Sequence, residues 1–399
     1  MVECWLPYGE TEVHVSIPLR EFLGVVEPKI GEVVRDVEAA VREVAERPLG
    51  CEPLSEMSEA STISIGVDGG LPPKAIIQAL SGLLDVIEAG RGLEGVSIII
   101  GLGLRTRGVT RLLELIRRGL PRGVELRIHT ARSEVEELGR TRRGNTVEVS
   151  KPLIEGEVRI LISQFHPDPL SGFKGPHTAL IPQLSGFKAI EMNRGLYHQG
   201  STGLGVVEDN PILMDSWDAL RLMGIDASLL LVTDHRGGVV DTLYGDAEAV
   251  WDKALNDYGD IYSVEVESAD IYILSPGGGR FDFDLYHSLW ALRALRKPKR
   301  GGRIILVAEC GEGLGAPGLS KLSGVERLSE LRRRYMLGGE VLHLLRSLQR
   351  SMRIQLVSAL PRHLAEPLGL TVYGAVNDAY EDAGRGRVAV IPYALSITP

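Results

Sequence analysis

The chain is poor in several features that would each have implied a function. It has only three cysteines, Cys4, Cys51 and Cys310, with no Cys-x-x-Cys spacing among them. A cysteine zinc site is not expected, and free thiols in a reducing cytoplasm are the expectation. No apolar run approaches the length of a membrane span. Met1–Pro7 has neither a basic start nor an apolar stretch of the secretory kind. Positive charge is outweighed: the net charge is −9, which argues against a general nucleic-acid binder. Repeats and low-complexity segments are lacking too. These absences predict a soluble, cytoplasmic protein acting on a small molecule, without nucleic-acid or membrane partners. The sequence is silent on oligomeric state.

Enough apolar residues are present to build real cores, at 44% of the chain. At 399 residues the chain is longer than a single core supports, so two domains are expected. Arginine exceeds lysine and glutamate is plentiful, a balance compatible with a thermophilic source.

Apolar runs at 61–67, 96–101, 124–129, 158–162 and 228–232 read as strands, several of them continuous in the manner of buried parallel strands. Residues 11–17 alternate, as a half-exposed strand does. Helical spacing appears at 31–46, 74–89, 109–118, 212–222 and 246–257, and residues 233–238 read as a hairpin turn into 239–244. A second series follows, with strands at 271–274, 303–308, 353–358 and 387–392 and helices at 284–296, 340–351 and 375–383. The expected fold class is α/β, two-domain, with largely parallel sheets flanked by helices. The predicted units are 1–265 and a smaller 266–385, with 386–399 free to return to the first.

Ligands in such folds bind beyond the carboxyl ends of strands. The polar loops there are 68–73, 102–108, 163–198, 275–284 and 309–315. Phe165–His198 stands out: His166, His177, His198, Lys174 and Lys188 lie among prolines, glycines and apolar anchors. Long irregular stretches inside compact domains are usually functional or disordered, and the anchors argue for function. His166 beside Asp168 is a candidate general base with its neighbour. His177 and Lys174 complete the candidate catalytic set. His166, His177 and His198 are a candidate metal trio, because imidazole suits nickel or zinc. Asp68, Arg105, Arg107, Arg194, Arg280 and His287 are candidate binding groups, and their mostly positive charge would focus a small anion.

The Tyr8-Gly9 start, GFKGPHTALIP, Asn193, LYGD at 243–246, SPGGGRFDFDLYHSL, GGRIILVAECGEGLG and the closing VIPY occur in an order that resembles the lactate racemase family. The resemblance implies a two-domain α/β fold, a site in the cleft between domains, and the family's nickel-pincer nucleotide. The family's functional residues do not carry over. Its Asp-x-Thr-Arg-Pro loop is here Asp68-Gly69-Gly70-Leu71-Pro72. Arg105 stands where the family has a catalytic histidine. Thr178 stands at the lysine that anchors the cofactor, with Lys174 at a serine. The family's other acid/base histidine falls on Asp168, and Arg194 follows Asn193 where the nickel-ligating histidine belongs. Gln-x-x-Lys becomes His287-Ser288-Leu289-Trp290. The expectation is a retained scaffold with rewritten chemistry that does not use the nickel-pincer nucleotide. Either it isomerises a 2-hydroxy acid with altered residues, or it performs changed chemistry or simply binds an anion.

Overall fold

The computed structural model describes all residues except 30, 58–59, 106–108, 122 and 297 and the side chain of residue 111. Among the described residues the chain builds two six-stranded sheets. The first runs, edge to edge, Val239–Gly245, Ala227–Thr233, Val158–Phe165, Ile63–Asp68, Val96–Gly101, Glu125–His129. Only Val239–Gly245 is antiparallel to its neighbour. The second runs Thr371–Tyr373, Arg353–Val357, Arg303–Val307, Ile271–Leu274, Val388–Ile391, Phe22–Val25, with every pairing parallel.

Alternate side chains of the first sheet feed two cores. Ile63, Ile65 and Val67 pack with Ile76, Leu80 and Leu83 of the helix Pro73–Arg91. Leu161 and Leu230 pack on the opposite face with Leu213, Trp217, Val250 and Trp251. Central strands covered on both faces must be apolar throughout, and this is why they read so clearly in the sequence. The second sheet is sandwiched likewise, and Cys4, Leu6, Val15 and Ile17 of the Val2–Tyr8/Thr11–Ile17 hairpin belong to one of its cores.

That hairpin corrects the expected domain limits. The first residues and the strand Phe22–Val25 lie with the second sheet. The final strand Val388–Ile391 does not return to the first unit but pairs with Ile271–Leu274 and Phe22–Val25. Strand pairing between chain-distant segments leaves no local signal. Two helices also differ from expectation. The amphipathic run at 31–46 is helical only over Val37–Ala45, where Asp36 accepts from the Ala39 amide as the N-cap. Residues 284–296 form a short α-turn, Leu285–Ser288, followed by the 3₁₀ segment Leu289–Ala294.

Each sheet reverses its direction of growth once. The first grows from Ile63–Asp68 outward through Val96–Gly101, then returns to place Val158–Phe165 on the other side. The second grows from Ile271–Leu274 through Arg303–Val307, then returns with Val388–Ile391. At such a reversal adjacent loops diverge and leave a crevice. The loops leaving both reversals meet at one cavity, lined by Gly69, Gly70, Pro167, Lys174, Arg280, Phe281 and Leu395 among others.

Gly172, beside this cavity, has φ +86, and a Cβ there would run into the Val206 carbonyl. Gly172→Ala should therefore lower stability by about 1–3 kcal/mol, read as a lower urea midpoint with an unchanged slope.

Candidate functional site in the interdomain cleft

The segment after Val158–Phe165 is shaped by its own turn chemistry. Pro167–Asp168 pairs with Gly172–Phe173 as a miniature hairpin. Asp168 Oδ1 closes it, accepting from the Leu170 amide (3.0 Å), the Ser171 amide (2.7 Å) and Ser171 Oγ (2.9 Å). The Lys174 amide then donates to the His166 carbonyl at 2.8 Å. These bonds fix where the Lys174 side chain leaves the backbone. Thr178 Oγ1 accepts from the Gly175 amide and donates to its carbonyl, 3.0 and 2.9 Å away, so the hydroxyl is spent on the next turn.

The cavity is about 130 Å³ and, among the described residues, carries four cations on its wall: Arg105, Lys174, Arg194 and Arg280. Asp168 is the carboxylate among its lining residues, and His287 the histidine. Leu170, Phe281, Phe283, Trp290 and Leu395 supply the apolar surface. Lys174 Nζ lies 5.6 Å from the centre of the Phe281 ring, and the Arg280 guanidinium 5.1 Å from the same ring. Burial pushes the Lys174 ammonium below the ordinary lysine range; Asp68 and Asp168 pull against this, while Arg280 and Arg194 add to it. Burial also raises the Asp168 carboxyl, but Arg194, Lys174 and the Ser171 hydrogen bonds outweigh it and hold the group below its usual range.

Arg280 links the two units. Its Nη2 donates to Gln164 Oε1 at 3.0 Å, and Gln164 Nε2 donates to Asp68 Oδ2 at 3.1 Å. Asp68 Oδ1 accepts from the Gly70 amide at 2.8 Å. Asp68 thus stands one step behind the cavity, with both oxygens engaged, and positions Gly70 and Gln164 rather than lining the wall. Burial lowers the Arg280 guanidinium to about 10, with Asp68 and Asp234 opposing. Arg105 is paired with Glu312 at 3.2 Å and lies 4.8 Å from the Phe283 ring centre. Arg107 lies outside the described residues. Arg194 sits in the last turn of the helix Phe187–Gly195, where Nη1 donates to Asn193 Oδ1 at 3.3 Å.

His287 is tied to Asp284, the N-cap of its own short helix. Asp284 Oδ1 lies 2.8 Å from both the His287 amide and Nδ1. A carboxylate on Nδ1 fixes the tautomer and leaves Nε2 as the free ring nitrogen. Beside it, Tyr286 OH donates to the buried Glu340 Oε1 at 2.8 Å. Gln164, Asp284, Tyr286 and Glu340 did not emerge from the sequence. Asp284 and His287 at i, i+3 was the one legible signal among them.

The expected metal trio does not assemble, and among the described residues no three His, Cys, Asp or Glu side chains group as a metal site would. His166 is fully buried, with Nδ1 at 3.1 Å from the Pro167 carbonyl and Nε2 at 3.0 Å from Ser396 Oγ. Burial, then Arg280 and Lys174, hold its ring well below the usual range. Neutral, spent on both nitrogens and absent from the cavity lining, it is not placed to act as a general base there. His177 is wedged between Trp217 and Trp251, with ring centres 4.8 and 5.6 Å away, and donates to the Phe173 carbonyl. It therefore belongs to the core rather than to catalysis. His198 lies elsewhere, its ring 4.7 Å from that of His343.

Burial depresses His177 from 6.5 to about 3. A group depressed in the fold contributes stability that is fully present above its unfolded pKa and lost as pH falls toward the folded value. His177→Leu should thus flatten the loss of stability between pH 6.5 and 3, measured by urea denaturation across that window.

Residues 8–203 match the lactate racemase N-terminal domain family. The chain is 27% identical over 330 residues to the lactate racemase of Thermoanaerobacterium thermosaccharolyticum, covering 80% of this chain and 77% of that protein. Against the lactate racemase of Lactiplantibacillus plantarum the identity is 22% over 329 residues, covering 80% and 77%. The fold superposes on the Thermoanaerobacterium thermosaccharolyticum lactate racemase apoprotein with a TM-score of 0.85 at 22% identity, over 100% of this chain and 99% of the other. A protein from Thermotoga maritima superposes with a TM-score of 0.68 at 14% identity, over 90% and 96%. Sequence and fold agree with the motif order along the loops: residues 8–203 form a lactate racemase N-terminal domain, and the chain as a whole is lactate racemase-like in fold.

Proposed function

We propose that the cleft binds a small 2-hydroxy acid through Arg194 and Arg280 and exchanges the proton at its C2 through His287, without the nickel-pincer nucleotide. The observation that carries this reading is the cavity wall itself: among the described residues, four cations, one carboxylate and one histidine. Arg280 Nη1 is buried and has no hydrogen-bond partner among the described residues. An incoming carboxylate would relieve that cost and accept a charge-assisted bond.

The residues do not fit the pincer group. Its covalent lysine is replaced by Thr178, whose hydroxyl already both donates and accepts within its turn. Its metal-ligating histidine is replaced by Arg194, a side chain that carries no lone pair for a metal. Proton exchange at C2 therefore has to be carried by side chains. Asp284 holds Nδ1 of His287, so Nε2 is the acceptor. Arg194 and Arg280 oppose the negative charge that builds on the carboxylate as the C2 proton leaves, in a cavity partly walled by apolar groups. Arg105, paired with Glu312, contributes less charge to the wall than an unpaired arginine would.

In deuterated water the native protein should incorporate deuterium at C2 of lactate or a longer 2-hydroxy acid, followed by NMR. His287→Asn should slow exchange by about 10²–10⁴-fold. Arg194→Gln should weaken binding by roughly 10–100-fold, read by calorimetry. Native protein carrying nickel and a covalent mass addition would overturn the cofactor-free reading. Absence of binding by every 2-hydroxy acid tested would overturn the anion site.

A further inference from the structure

Lys174 stands apart from the other lysines whose contacts are defined. Lys151, Lys253 and Lys299 are each paired with a carboxylate, Glu134, Asp257 and Asp270 respectively. The Lys174 ammonium has no hydrogen bond or ion pair among the described residues. It points into the cavity over the Phe281 ring. Its backbone is fixed on both sides, by its amide donating to the His166 carbonyl and by Trp251 Nε1 donating to the Lys174 carbonyl at 3.2 Å. Asp168 on the same wall forms no ion pair with it among the described residues, and Asp168 Oδ1 is held by the hairpin turn.

We propose that Lys174 is a carbonyl-reactive amine, and that the cleft takes 2-oxo acids, forming an imine between Lys174 Nζ and the C2 carbonyl. The proposal rests on the anion reading above, since Arg194 and Arg280 would hold the carboxylate. The depressed lysine adds a second support, because a neutral amine is the nucleophile in such chemistry. The steps balance without an oxidant. The ammonium first gives a proton to solvent. Nζ then adds to C2, the carbonyl π bond becomes a hydroxyl, and that hydroxyl leaves with the remaining labile N–H hydrogen as water. The apolar side of the cavity, Leu170, Phe281 and Leu395, favours loss of that water.

The test traps the imine. Native protein is incubated with pyruvate, reduced with borohydride, digested and mapped by mass spectrometry, while pyruvate binding is measured separately by calorimetry. A reduced adduct on the peptide carrying Lys174 is expected. It should be lost in Lys174→Arg, which keeps charge but lacks the amine. It should be retained in Lys188→Arg, a change at an exposed lysine outside the cavity. If pyruvate binds and no adduct forms on Lys174, or labelling falls only on surface lysines, the inference is wrong and the anion site stands. If pyruvate does not bind, the inference is wrong as well, and the anion site is then decided by the 2-hydroxy acid binding described above.

Discussion

The cleft depends on one buried relay that crosses between the sheets. Arg280 leaves the second sheet's reversal point and meets Gln164 at the end of the first sheet's central strand. Gln164 meets Asp68, and Asp68 holds the Gly70 amide. Arg280 also reaches the Gly70 carbonyl at 3.4 Å. Removing one member would strand another in a low-dielectric site, and breaking a buried charged pair costs about 3–5 kcal/mol. The relay brings two crevices, each a consequence of its own sheet's topology, to a common mouth. The charge of the wall follows, because Lys174 and Arg194 come from a loop and a helix end that this docking brings to the same cavity as Arg280.

The positive wall sits in a protein whose net charge is −9. The acidic residues lie mainly on exposed helices and turns, often in pairs such as Arg42 with Asp85 or Arg221 with Glu248. Pairs of that kind contribute little stability. They leave the cleft cations as the contrasting feature, a positive field of the kind that focuses small anions.

Much of the fold was legible because buried parallel strands are apolar at every position. Ile63–Asp68, Val96–Gly101 and Ala227–Thr233 are buried almost throughout. Phe22–Val25 was not legible, since a short half-exposed edge strand looks like loop. The site was legible as a set of loops but not as directions. A histidine in a glycine- and proline-rich stretch looks catalytic in sequence, yet His166 and His177 turn inward to backbone carbonyls and tryptophans. The carbonyls are near in the chain, but the contacts that bury the rings come from far away: a hydrogen bond to Ser396 for His166, the rings of Trp217 and Trp251 for His177. Arg105 looked like a free anion binder for the same reason, since Glu312 lies more than two hundred positions away. The arginine and threonine that replace the family's histidine and lysine were visible at once, because identity at an aligned position needs no geometry.

The second sheet holds an early strand and a late one side by side, Phe22–Val25 against Val388–Ile391. The first unit is therefore an insertion, leaving the second near residue 27 and rejoining it near residue 263, where Ser263 bridges to Thr398. Two covalent crossings join the units rather than one. A single tether would let them swivel about any axis. A double tether favours bending about the line through both crossings, so any relative movement of the units would share one hinge axis. Along such an axis the cations on the two sides of the cleft would keep their register.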